Sequence, residues 1–176
     1  RLCRQLLEGN PPATRVLAAD PPPLDQLTLP YRFYTDEDIA HRLIYVEASR
    51  GCPFRCEFCL SALDKTAWPF PLEPFLAELD LLYQRGVRHF KFVDRTFNLN
   101  AKIGARILDF FLERLDERLF LHFELIPDHL PDALKTRIIQ FPPGTLQFEI
   151  GVQTFNPTVQ ALISRKQDNA KTEENL

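Results

Sequence analysis

The chain has 176 residues, of which 45% are hydrophobic and 26% are charged, and its formal net charge is −3. This balance predicts a globular domain rather than a disordered or fibrous chain, and it argues against a nucleic-acid surface built on bulk positive charge. No apolar run reaches the ~18 residues of a membrane-spanning helix and no signal peptide is visible, so we expect a cytoplasmic protein with no membrane partner.

The N-terminal region is rich in proline. Six of the 15 prolines precede residue 31, and proline at this density prevents a continuous helix or a central strand. We therefore predict a linker over residues 9–42, preceded by the last turns of a helix in residues 1–8 that ends at Gly9. Methionine is absent, including at position 1, so residues 1–42 are expected to be the linker and tail of a preceding domain in a longer protein.

Beyond residue 42, short β-branched or aromatic runs alternate with amphipathic helices. The predicted strands are Leu43–Glu47, Val87–Asp94, Leu119–Leu125 and Thr145–Gln153. The predicted helices begin at Leu72, at a cap formed by Asn98 or Asn100, at Pro131, and at Asn156-Pro157, the last with Leu162 and Ile163 facing inward. The alternation predicts an α/β fold for residues 43–176, a partial (β/α) barrel of parallel strands with active residues at the strands' carboxyl ends.

Three cysteines, Cys52, Cys56 and Cys59, lie within eight residues directly after the first predicted strand. In an intracellular α/β protein such clustering favours a metal site over a disulfide framework. Three thiolates leave one coordination position for a reactant, and thiolates are the usual ligands of iron-sulfur clusters. The alternatives are a zinc knot completed by His41 or His89, and three incidental thiols.

The segment Arg50-Gly51-Cys52-Pro53 and the CxxxCxxC spacing, with Phe58 before the last cysteine, closely resemble the radical S-adenosylmethionine (SAM) enzymes. The resemblance implies that the three cysteines hold a 4Fe-4S cluster whose fourth iron binds the amino and carboxylate groups of SAM, and that Phe58 lies against the adenine. It implies reductive cleavage of SAM to methionine and a 5′-deoxyadenosyl radical, which takes a hydrogen atom from an unknown substrate. A reducing electron donor such as flavodoxin or ferredoxin is the implied partner.

The ends of the next two strands carry further candidate residues. The family usually has a Gly-Gly-Glu motif that meets the amino group of SAM, and Asp94 or Thr96 stands at that place without the glycines. Asp94 is alternatively a helix N-terminal acid. Glu124 stands where the family has an acid on the ribose hydroxyls, with a structural ion pair as the alternative, and alternation places it on the same strand face as His122.

The fourth strand reads Gly151-Val152-Gln153 before a Thr-Phe pair, and Arg165 follows twelve residues after Gln153. This pattern resembles the branch containing oxygen-independent coproporphyrinogen oxidases and many cobalamin-linked radical SAM proteins, in which the Gln and Arg reach SAM. A guanidinium suits the SAM carboxylate, although an arginine also favours a helix C-terminus. Residues 24–31 resemble the connector to a cobalamin-binding domain, so cobalamin is expected only in the full-length protein and not in this chain.

The leading prediction is thus the core of a radical SAM enzyme, and the alternative is a zinc- or cluster-bearing structural or interaction module without SAM chemistry. Glu124, Gln153 and Arg165 favour the enzyme, because a structural zinc site has no use for three polar strand ends facing one ligand. Four parallel strands leave two open edges. We therefore expect the protein to continue past Leu176, through a polar link over residues 168–176, or the piece to associate through an open edge.

Overall fold

The computed structural model describes residues 2–14, 16–17, 22–63 and 66–176, so Arg1 of the predicted first helix lies outside the described residues. The strands are β1 Ile44–Val46, β2 Ser49–Gly51, β3 Ala67–Pro69, β4 His89–Phe92, β5 Phe120–Leu125 and β6 Leu146–Ile150. The helices are α1 Leu2–Leu7, α2 Asp36–His41, α3 Leu72–Gln84, α4 Ala101–Leu112, α5 Asp132–Ile138, α6 Pro157–Leu162 and α7 Asn169–Asn175.

The main sheet has four strands in the order β1-β4-β5-β6, and every neighbouring pair is parallel. The predicted parallel α/β fold is therefore confirmed. The last strand is shorter than predicted, since β6 ends at Ile150 and residues 151–153 lie outside it. Its continuation is prevented because the Gly151 carbonyl accepts a hydrogen bond from Arg165 and because Gln153 has a φ of 66°, which no strand residue adopts.

Alternation along the strands separates an apolar face from a polar one. Phe92 and Phe123 are completely buried and their rings lie 4.6 Å apart, while Phe97 stacks on Phe123 at 4.1 Å. Buried residues of α3, α4 and α5 belong to this same hydrophobic core. The opposite face of the sheet carries polar side chains, so the helices cover one face and leave the other as the interior wall of the partial barrel.

Two expectations about helix ends are settled by hydrogen bonds. Asn100 caps α4, because its side chain accepts from the amide of Ile103 at 3.2 Å. Asn98 is instead fully buried and joins two loops by bonding the amide and the carbonyl of Ile126. Asp94 is not a helix N-terminal acid, since the helix that follows it begins only at Ala101.

The fourth predicted helix has the expected start but the wrong inward face. Asn156 caps α6 by accepting from the amides of residues 158 and 159. Leu162 is 74% exposed, so the prediction that it faces inward was wrong. Gln160 is the buried residue of this helix because its side-chain amide donates to the Thr154 carbonyl and to Asn169. The polar segment after it is also not a simple link, since Asp168 caps the further helix α7.

The predicted linker is partly ordered against the core. Tyr31 is buried against Phe75, and Thr35 opens α2 with a reciprocal capping box. The Tyr31 hydroxyl donates to the carbonyl of Glu47 and accepts from its amide. The Tyr34 hydroxyl makes the same two bonds with Tyr45 of β1. The outer edge of β1 is therefore occupied by side chains and is not one of the two open edges expected. Within the described residues, β6 pairs with β5 alone, so its outer edge is open as expected.

Within the described residues, none of the helices is long and apolar enough to cross a membrane.

Candidate active site

A short antiparallel hairpin carries the cysteine loop. Strand β2 pairs with β3, with Ser49 opposite Pro69 and Gly51 opposite Ala67. Gly51 has a φ of +96°, and a Cβ added there would lie 2.4 Å from the backbone oxygen of Thr66. Only glycine fits at this position, so the sequence directly before Cys52 is fixed by the hairpin.

Asp94 anchors this hairpin to the end of β4. Its carboxylate accepts from the Ala48 amide at 2.9 Å and from the Ser49 hydroxyl at 2.6 Å, and the residue is 2% exposed. Burial raises the pKa of this carboxyl to about 6, although the hydrogen bonds from Ser49 and Ala48 act in the opposite direction. Asp94 therefore supports the entry to the cysteine loop instead of facing the cavity described next.

One cavity of about 530 Å³ lies at the carboxyl ends of the strands. It brings together all the predicted site residues except Asp94, namely Cys52, Cys56, Phe58, Cys59, Thr96, Glu124, Gln153 and Arg165. Phe58 is 56% exposed and does not belong to the hydrophobic core. The four cysteines are free, and Cys3 lies exposed on α1, outside this cavity.

The segment after α6 holds the cysteine loop from the far side of the cavity. The Glu57 amide donates to the Ile163 carbonyl at 3.0 Å, and the Ser164 hydroxyl donates to the Glu57 carboxylate at 2.9 Å. Arg165 donates from Nη2 to the Gly151 carbonyl at 2.6 Å, and its Nη1 lies 3.7 Å from the sulfur of Cys56. Arg165 thus joins the end of β6 to the cysteine loop and does not merely cap a helix.

Two buried polar atoms, in residues that line the cavity, have no hydrogen-bond partner among the described residues. They are Oγ1 of Thr96 and Nε of Arg165, and the third such atom in the described residues is Oε1 of Gln167. A buried polar group without a partner costs about 1–3 kcal/mol, so such groups are rare unless a ligand completes them. Both residues line the same cavity as the three cysteines.

Backbone strain is concentrated at the same place. Gln153 is a non-glycine residue with positive φ, and the Thr154 amide donates to the Val152 carbonyl across it at 2.8 Å, which forms a tight three-residue turn. A Cβ at position 151 would lie 3.0 Å from Nε2 of Gln153. Strained conformations of this kind persist mainly at functional sites, and here the turn directs Gln153 to the cavity wall.

Charged residues that the sequence analysis missed complete the wall. Arg95 pairs with Glu124 at 3.1 Å, and Glu149 lines the cavity from β6. Glu149 could have been found from the sequence, because it alternates with the apolar residues of β6 and so lies on the opposite face of the strand. Arg95 gave no such signal, because it lies in an irregular turn after β4.

The histidines proposed for a zinc knot are not available to the cysteines. His41 and His89 line another cavity, which lies at the amino ends of the strands beside Gly86 and Gly144. The zinc site completed by either histidine is therefore wrong. Among the described residues, no group of three or more His, Cys, Asp or Glu side chains surrounds a position for a single metal ion. A cube of four irons and four sulfides is larger than one ion, and the donors that suit it, three free thiols on one cavity wall, are present.

A family model described as the radical SAM superfamily matches residues 46–176. The chain belongs to the radical SAM superfamily. This membership confirms the family resemblance and the expectation of an enzyme of radical SAM type, and it applies to the part of the chain that carries the sheet, the hairpin and the cavity.

Two curated relatives are both named uncharacterized methyltransferases. The radical SAM chain is 43% identical to the protein of Pyrococcus horikoshii over 60 residues, which are 32% of this chain and 13% of the relative. It is 36% identical to the protein of Synechocystis over 101 residues, which are 56% of this chain and 19% of the relative. The chain thus spans less than a fifth of the length of either relative.

Two solved structures of TsrM from Kitasatospora setae, a radical SAM methyltransferase, share the fold. One has cobalamin and a 4Fe-4S cluster bound, and it matches with a TM-score of 0.63 and 17% identity over 77% of this chain and 28% of TsrM. The other has tryptophan and the SAM analogue aza-SAM bound, and it matches with a TM-score of 0.61 and 18% identity over 75% of this chain and 27% of TsrM.

Proposed function

We propose that this chain is the cluster- and SAM-binding core of a radical SAM methyltransferase. The observation that carries the proposal is the single cavity that brings the three cysteines together with Thr96 and Arg165. A hydroxyl and a guanidinium N–H in these positions suit a ligand with carboxylate and amino groups, and SAM carries both.

Cys52, Cys56 and Cys59 hold the 4Fe-4S cluster in this proposal. Burial raises the pKa of the Cys52 thiol, so cluster binding must displace a proton at that sulfur. When bound, the cluster supplies the electron that cleaves SAM to methionine and a 5′-deoxyadenosyl radical. The electron donor is a reducing protein such as flavodoxin or ferredoxin.

The remaining cavity residues orient SAM. Arg165 binds the carboxylate with a guanidinium already fixed by the Gly151 carbonyl, and Thr96 binds the amino group. Phe58, which is exposed toward the cavity, stacks on the adenine, and Glu124 accepts from the ribose hydroxyls. Gln153 contacts SAM through the amide that its strained turn presents.

The methyl-transfer assignment is supported by the names of the curated relatives and by the fold shared with TsrM. Cobalamin belongs to the full-length protein in this proposal, bound outside the residues of this chain.

The test is anaerobic reconstitution with iron and sulfide, followed by metal and sulfide analysis and visible absorbance. We expect close to four irons and four sulfides per chain, lost in Cys52→Ala, Cys56→Ala and Cys59→Ala and retained in Cys3→Ala, the control on α1. Addition of SAM and a chemical reductant should then give 5′-deoxyadenosine. Stoichiometric zinc without sulfide would overturn the proposal in favour of a structural metal module.

A further inference from the structure

Three titratable side chains from neighbouring strands meet on the polar face of the sheet. Lys91 of β4 pairs in register with His122 of β5, and Glu149 lies on β6. Nζ of Lys91 lies 3.2 Å from Oε2 of Glu149 and within 3.3 Å of both ring nitrogens of His122. Nε2 of His122 lies 3.4 Å from the same carboxylate oxygen. One carboxylate oxygen therefore faces two nitrogen groups.

The fold does not require polar groups at this place. The interiors of barrels are usually filled by branched apolar side chains, and the hydrophobic core of this chain lies on the other face of the sheet. The side chains of Lys91 and His122 are only 17% and 13% exposed. A charged group loses hydration free energy on such burial unless a partner compensates it, and the Glu149 carboxylate is the anion that compensates the Lys91 ammonium.

Glu149 differs from the other two residues. Its side chain is 62% exposed and lines the cavity that contains the cysteines. Lys91 and His122 do not themselves line that cavity, so the Glu149 carboxylate lies between them and any molecule held there.

We propose that Lys91 and His122 form a subsite for a carboxylate group of the substrate, and that Glu149 occupies this subsite until the substrate carboxylate displaces it. The subsite rests on the proposed function, because it names the chemical class of the molecule that the cavity holds next to SAM.

The neighbouring groups are consistent with this assignment. In register, Tyr45 lies beside Lys91 and Gln147 lies beside His122, and both residues are exposed. They add a hydroxyl and an amide for the part of the substrate next to the carboxylate. Of the two cations among the described residues that line the cavity, Arg95 is paired with Glu124, and Arg165 donates to the Gly151 carbonyl and is assigned to SAM. Lys91 is therefore the cation that an incoming carboxylate meets when Glu149 leaves.

The test uses acetate as the probe and the NMR signals of the His122 ring as the readout, with the whole chain free of cluster and SAM and with chloride keeping the ionic strength constant. Acetate should shift these signals, and Glu149→Gln should bind acetate at least about tenfold more tightly because a tethered competitor has been removed. Glu173→Gln, an exposed site on α7, makes the same change of charge and should leave the affinity unchanged. Lys91→Gln should abolish the shift, whereas Lys102→Gln should preserve it.

Absence of an acetate response in both the wild-type chain and Glu149→Gln would overturn the subsite. Equal acetate affinity in these two chains would show that Glu149 is no competitor, and would overturn it as well. If Lys91→Gln fails to fold, as thermal unfolding would reveal, the Glu149→Gln comparison still decides. Because neither cluster nor SAM is used, a negative result would leave the proposed function untouched.

Discussion

The amide of Glu57 donates to the carbonyl of Ile163 over 3.0 Å, and this bond joins the cysteine loop to a segment more than one hundred residues later in the chain. The same segment continues into Arg165, whose Nη1 lies 3.7 Å from Cys56. The side of the cavity that presents the thiols and the side that presents the guanidinium are therefore one connected structure. Changes at residues 163–165 should consequently affect the ligand site more than their surface location suggests.

Replacement of Arg165 should weaken SAM binding. Arg165→Ala removes a charged donor and is expected to cost about 1.5–3 kcal/mol of SAM binding free energy, the usual value for a hydrogen bond to a charged group. Calorimetry on the reconstituted chain measures this. Lys166→Ala is the matched control, because Lys166 is exposed and lines a different groove. Equal affinity in the Arg165 and Lys166 variants would remove Arg165 from the SAM site.

Glu124 and Arg95 can be separated by a paired experiment. If Glu124 contacts the ribose, Glu124→Ala should lower SAM affinity by about 1.5–3 kcal/mol, while Arg95→Ala leaves the carboxylate in place and changes it far less. Because the Glu124 side chain is only 17% exposed while Arg95 is 59% exposed, denaturant unfolding of both variants is measured beside the SAM affinity. A matching loss of SAM affinity in both variants would indicate that the ion pair itself, and not a ligand contact, is what matters.

Asp94 should make the chain less stable as the pH rises from about 4 to 6. Its folded-state pKa of about 6 lies above the unfolded value of 3.8, so the folded state binds the proton more tightly and stability from this group is fully present only below the unfolded pKa. The difference corresponds to about 3 kcal/mol lost across that window. Asp94→Asn retains an acceptor for Ala48 and should remove this component.

The measurement is urea unfolding of both chains at several pH values between 4 and 7. The difference in unfolding free energy between Asp94→Asn and the parent should grow with pH and then level off above the folded pKa. A difference that stays constant over this range would show that Asp94 does not titrate as its burial requires.

The core and the surface of the outer helices should respond very differently to truncation. Phe123→Ala removes a completely buried ring from the stack with Phe92 and Phe97 and should cost about 3–5 kcal/mol of unfolding free energy. Leu162→Ala, on an exposed position of α6, should change stability by no more than about 0.5 kcal/mol. Denaturant unfolding compares the two, and a large loss in the Leu162 variant would mean that another element covers this helix.

The residues that the sequence predicted well are those whose chemistry is tied to a fixed spacing. Cys52, Phe58 and Arg165 were placed by motifs, and the structure brings all three to one cavity. The parallel strands were found because their apolar alternation is set by burial on one face. The end of β6 was not predicted, because it depends on a hydrogen bond from Arg165, which is fourteen residues away from Gly151 in the sequence.

The features that sequence reasoning missed depend on contacts between distant segments. The β2–β3 hairpin has three-residue strands and contains Pro69, so it has no periodicity to detect. Asp94 was expected to meet SAM or to be a helix N-terminal acid, and its hydrogen bonds with Ala48 and Ser49, 46 and 45 residues away, have no signal in the sequence. Leu162 fits a helical apolar pattern, yet the side on which a short helix packs is decided by its neighbours and not by its own spacing.

The tyrosine hydroxyls at the outer edge of β1 determine which edge of the sheet can accept another strand. Because Tyr31 and Tyr34 already use the amides and carbonyls that a further strand would need, a peptide cannot be added on that side without first displacing two side chains, one of them buried. Within the part of the chain that the structure describes, the outer edge of β6 is the strand edge without a partner. A strand that extends this sheet, whether from the same polypeptide or from another, is therefore expected to join beside β6.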